Sequence, residues 1–190
     1  MIAFHGDSSL KDKYIERVKA HALADEIIHG KYWENGKGCA IGCTIHDSDH
    51  SRYETELGIP RILARLEDRI FEGMKNSDSK VFPLRFLSAI EPGADLSLIW
   101  YQFGHWLLVD DTDGVIRFAK TDKTKKAIIG VASLFNRALR GLTVERAEWK
   151  KAGSNAATAA AAATAAAAAA ATAAAATAAT ATAATAATAA

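Results

Sequence analysis

Residues 60–73 read Pro60-Arg61-Ile62-Leu63-Ala64-Arg65-Leu66-Glu67-Asp68-Arg69-Ile70-Phe71-Glu72-Gly73. Pro60 stands where a helix begins, because the N–H it lacks is one that the first turn leaves unused. Ile62, Leu63, Leu66, Ile70 and Phe71 recur at helical spacing and make one apolar face. Arg61, Arg65, Glu67, Asp68 and Arg69 are then expected on the solvated face. Gly73 lies near the end, where helices commonly stop.

Working outward, the same punctuation repeats. Ser8 or Ser9 can cap a first helix running to about His29, with Leu10, Tyr14, Val18 and Ala22 as its stripe. Pro83 opens a short helix, and Pro92-Gly93 breaks the chain again. Leu96, Ile99, Trp100, Phe103, Trp106 and Leu107 predict a very apolar helix, expected to be the central buried one. Thr121-Asp122 starts another, carrying Ile128, Val131, Leu134, Phe135 and Leu139 to Gly141, and Thr143 caps a last short one. Val115–Phe118 is the single candidate strand. The expected fold class is all-α.

Composition divides the chain. Of 190 residues, 49% are apolar and 24% charged, with 23 basic against 22 acidic side chains. All the charges precede residue 156, and residues 156–190 are 27 Ala and 8 Thr. The expected organisation is a helical domain over 1–152, a Gly-Ser-Asn linker over 153–155, and a low-complexity helix over 156–190. One core fits the first part comfortably. A net charge of +1 gives no electrostatic case for a nucleic-acid or anionic-membrane partner. Met1–Asp7 lacks the basic and apolar regions of a signal peptide, and no stretch of the core reaches the ~20 apolar residues of a spanning helix. The expected location is cytoplasmic.

Chemistry-bearing residues concentrate between His21 and His50. If the first helix reaches His29, then His21, Asp25 and His29 share one face. Cys39, Cys43 and His46 follow in a glycine-rich stretch with no helical or strand period. Thiolate and imidazole are ligands that zinc prefers, and Cys-x3-Cys-x2-His brings three within reach of one ion. The candidate metal set is therefore His21, Asp25, His29, Cys39, Cys43 and His46, with zinc as the candidate ion. The competing reading makes Cys39 and Cys43 small buried side chains in a tight turn.

The tail resembles the alanine-rich helical antifreeze proteins in its Ala content and its Thr. Those carry Thr at a regular interval, whereas here the spacings are 6, 8, 5, 3, 2, 3 and 3. The runs Tyr32–His46, Tyr53–Pro60 and Leu66–Gly73 resemble a family of bacterial and phage proteins of unknown function. That resemblance implies a prokaryotic or viral origin and no particular activity.

Three functional readings follow. The leading one is a non-catalytic, metal-stabilised interaction protein that self-associates or docks a protein partner through the 156–190 helix. A second is a thiol- or metal-dependent hydrolase using Cys43 and His46. The third is ice or surface binding by the tail.

Overall fold

The computed structural model describes the backbone of residues 1–188 and the side chains of residues 1–169 and 172, Asn76 excepted. The fold is all-α. Its helices are α1 (Ser8–Leu23), α2 (Ala40–Ile45), α3 (Arg52–Leu57), α4 (Arg61–Gly73), α5 (Asn76–Ser79), α6 (Phe82–Ser88), α7 (Ile99–Val109), α8 (Asp122–Leu139) and α9 (Arg146–Thr188). A two-residue antiparallel hairpin pairs β1 (Trp33–Glu34) with β2 (Lys37–Gly38). Two compact units divide the chain, Met1–Trp100 and Tyr101–Ala190.

In the first unit, α1 packs on α2 and α6, and α2 packs on α4 and α6. Phe4, Val18, Ile41, Ile45, Leu57, Ile59, Phe71 and Leu87 are fully buried between them. The cap of α1 is Asp7, whose carboxylate accepts from the Ser9 N–H at 2.8 Å, rather than either serine. The helix ends at Leu23 and does not reach His29. Asp25 turns left-handed at φ 56°, and the chain then runs extended beside β2. Ile28 N–H donates to the Gly38 carbonyl at 2.8 Å, and Gly38 N–H donates to the Glu26 carbonyl at 3.0 Å. This exit carries Ile27 into the core at 3% exposure, a burial that a continued helix would not provide. His21, Asp25 and His29 therefore do not share a helix face.

The glycine-rich stretch is ordered. Asn35 and Gly36 both take positive φ, 53° and 82°, as a two-residue hairpin turn requires. All six residues of α2 are buried.

In the second unit, α8 lies along α9. The Thr121 side chain caps α8, accepting from Thr124 N–H at 3.1 Å. Thr121→Ala is expected to cost about 1 kcal/mol, read as a lower urea midpoint of the helical signal. Arg137 pairs with Glu148 of α9 at 2.5 Å, and the Phe135 and Trp149 rings meet edge-on at 4.8 Å.

Three expectations change here. Val115–Phe118 is a 3-10 turn, with no strand beside it among the described residues. Within α7 only Gly104 is buried, while Trp106 and Leu107 are 43% and 42% exposed. The core lies on α1, α2, α4 and α6 instead, whose apolar faces converge. Residues 153–155 are helical within α9, with no linker there. A single helical glycine costs only about 1 kcal/mol against alanine, which the flanking alanines offset. Residues 189–190 of the expected tail helix lie outside the described residues.

Candidate functional site

Asp68 and Glu72 stand one turn apart on α4, so their carboxylates rise from one side of the helix. Cys39, at the start of α2, meets them there. One ligand atom from each of Cys39, Asp68 and Glu72 lies within 4.8 Å of the other two. Cys39 is fully buried, Asp68 is half-buried, and Glu72 is exposed. Burial pushes the Cys39 thiol up to about 12; the Gly42 N–H opposes the rise and the Asp68 carboxylate adds to it.

Neighbouring groups complete this corner. His50 Nε2 is 3.6 Å from Asp68 Oδ2, and the Tyr32 hydroxyl is 3.5 Å from the same oxygen. Gly30 N–H donates to both Glu72 oxygens at 3.1 Å. Asp68 Oδ1 is buried and finds no hydrogen-bond partner among the described residues. Gly30, Lys31, Tyr32, Asp68 and Glu72 line a cleft of about 200 Å³.

Beneath the cleft lies a second polar element. Glu67, expected on the solvated face, is fully buried, and Tyr53 donates to its Oε2 at 2.8 Å. Burial raises the Glu67 carboxyl to about 8, which keeps it protonated at neutral pH. Leu63, Glu67 and Phe71 are spaced by four and all three are buried. That spacing was the signal available for finding it.

The six ligands expected from sequence go to separate places. Cys43 is buried, and its thiol donates to the Gly38 carbonyl at 3.3 Å. Burial pushes that thiol up to about 12 as well. Asp25 pairs with Lys80, and His29 Nε2 lies 3.1 Å from the Phe71 carbonyl. His21 and His46 do come together, with their Nε2 atoms 2.8 Å apart. Cys39 alone of the six stands with Asp68 and Glu72. The sequence reading missed both of these carboxylates, and His50 is absent from its ligand set.

Comparisons with known protein families, curated proteins and solved structures gave no match. The chemistry of the side chains is thus the basis for any functional reading. A thiol, two carboxylates and a nearby imidazole form the mixed S, O and N donor set that suits zinc. Zinc bonds of about 2.0–2.3 Å would draw these atoms closer by roughly 1 Å. Coordination would also release the Cys39 proton that burial retains.

Proposed function

We propose that this chain is a non-catalytic interaction protein whose first unit is stabilised by a zinc ion on Cys39, Asp68 and Glu72. The observation that carries this reading is the convergence of those three ligand atoms within 4.8 Å. The buried, unpartnered Asp68 Oδ1 adds support, because a cation would satisfy it. The Cys43 thiol, tied to a carbonyl and held protonated by burial, is a poor nucleophile, which disfavours the hydrolase reading. A cytoplasmic setting suits the site, since reducing conditions keep Cys39 a thiol.

The uncharged part of α9 is the assembly element in this reading. Thr158, Thr164 and Thr172 return their hydroxyls to carbonyls four residues back, at 2.9–3.0 Å. Most described side chains there are exposed methyl groups, Ala159 being buried, which suits another copy or a protein partner. The Thr side chains at 177–188, needed for an ice-binding face, lie outside the described residues. Among the described residues no helix is long and apolar enough to cross a membrane.

Elemental mass spectrometry on the full chain, purified without chelator, tests the metal. One equivalent of zinc is expected, and Cys39→Ser should lose it while Cys43→Ser keeps it. A wild-type chain that stays metal-free after incubation with zinc would end this reading. So would undiminished zinc in Cys39→Ser.

A further inference from the structure

His21 and His46 face one another across the surface of the first unit. Their Nε2 atoms are 2.8 Å apart, and the rings meet edge-on with centroids at 5.0 Å. Neither ring is loosely held. On the far side of His21, Nδ1 lies 2.6 Å from a Glu26 carboxylate oxygen. His46 stacks on Trp33, at 4.4 Å and 13° between planes. Its backbone is left-handed at φ 56°, closing α2.

For two neutral rings, these contacts leave one pair of tautomers. Glu26 accepts the Nδ1–H of His21, so His21 Nε2 carries a lone pair and accepts from His46 Nε2–H. A carboxylate behind a histidine is the arrangement that orients imidazole ligands toward metals. For an ion to bind, the His46 proton moves from Nε2 to Nδ1 and the two rings turn so that both Nε2 lone pairs meet at one point. His46 is exposed, so water can fill further coordination positions.

The donor type ranks the ions. With metal–nitrogen bonds of about 2.0–2.1 Å, two cis nitrogens at 90° stand ~2.9 Å apart. Tetrahedral angles require about 3.3 Å. The observed 2.8 Å is the length of the hydrogen bond between the rings, and a small ring movement reaches either spacing. Imidazole and water donors bind Cu(II) more tightly than Ni(II) or zinc. We propose that His21 and His46 form a two-imidazole site for Cu(II), oriented by Glu26 and separate from the Cys39 cluster.

The test is titration of the full chain with Cu(II), read by electron paramagnetic resonance and by quenching of Trp33, with Trp33→Phe identifying that tryptophan's share. One equivalent is expected, with hyperfine structure from two nitrogens. His46→Asn keeps a residue that tolerates the left-handed turn. It should lose one nitrogen coupling and bind at least tenfold more weakly. Glu26→Gln, which leaves both ligands in place, should weaken binding about tenfold. Two-nitrogen binding of unchanged affinity in His46→Asn would overturn the proposal, as would no Cu(II) binding by the wild-type chain. Cys39→Ser should retain this Cu(II) site while losing zinc, so failure of one site is distinguishable from failure of the other.

Discussion

Gly42→Ala is expected to unfold the first unit. A methyl at residue 42 would lie 1.4 Å from the Tyr32 carbonyl oxygen, 2.6 Å from its carbon and 3.4 Å from Trp33 N. These are backbone atoms, and no rotamer change relieves the contact. The same carbonyl lies 2.0 Å from where a Gly38 methyl would stand, so the hairpin arm sits directly on both glycines. It is held there by Cys39 N–H, which donates to the Lys31 carbonyl at 2.7 Å. Overpacking of a closed core commonly costs 1–3 kcal/mol, and a backbone clash this severe should cost more than about 3 kcal/mol. That is a large part of the roughly 5–15 kcal/mol that holds a domain together. Urea denaturation followed by circular dichroism should show a lost or much lowered transition. Gly153→Ala is the control: its methyl meets nothing within 4 Å, and it should leave the helical signal intact or slightly strengthened. A wild-type midpoint for Gly42→Ala would mean that the hairpin is not seated on α2.

Tyr53→Phe should have the second largest effect, roughly 2–3 kcal/mol, although it removes a single oxygen. Tyr53 and Glu67 are both fully buried, and the tyrosine hydroxyl donates to Glu67 Oε2 at 2.8 Å. The other carboxyl oxygen has no partner among the described residues. Deleting the hydroxyl would leave the whole carboxyl unsatisfied inside the core, and that desolvation penalty outweighs the net value of an ordinary hydrogen bond. Urea unfolding at fixed pH measures the loss. Adding Glu67→Met should recover most of it, because removing both partners leaves no buried polar group stranded. If Tyr53→Phe is neutral, the pair contributes nothing and Glu67 is satisfied in another way.

These two predictions rest on features of different legibility. The start of α4 after Pro60 is a local pattern and stands as expected, whereas of its stripe Leu63 and Phe71 are buried and Ile62 and Ile70 are exposed. The start of α8, with its Thr121 cap, also stands as expected. The hairpin was readable in principle from Asn35-Gly36, a two-residue turn signal. The glycine count around it obscured the pattern. Glu67 was placed outside by its charge, although its four-residue spacing from Leu63 and Phe71 runs along the buried line. For the candidate metal cluster, Cys39 was legible as a thiol near a turn. Asp68 and Glu72 were not, because carboxylates on a charged helix give no sign of which one a distant cysteine will meet.

Residues 1–190 thus determine by themselves where α1, α4, α6 and α8 begin, and that the class is all-α. Caps, prolines and helical spacing act within a few residues, so they can be read along the chain. They also determine the division in charge, since composition is independent of fold. Tertiary structure decided the rest. It ended α1 at Leu23 so that Ile27 could be buried, and this separated His21, Asp25 and His29. It brought His21 to His46 and Cys39 to Asp68 and Glu72 across 25 to 33 residues of chain. Such meetings depend on which faces pack together. That choice is a balance of burial summed over the whole core, which no local pattern contains.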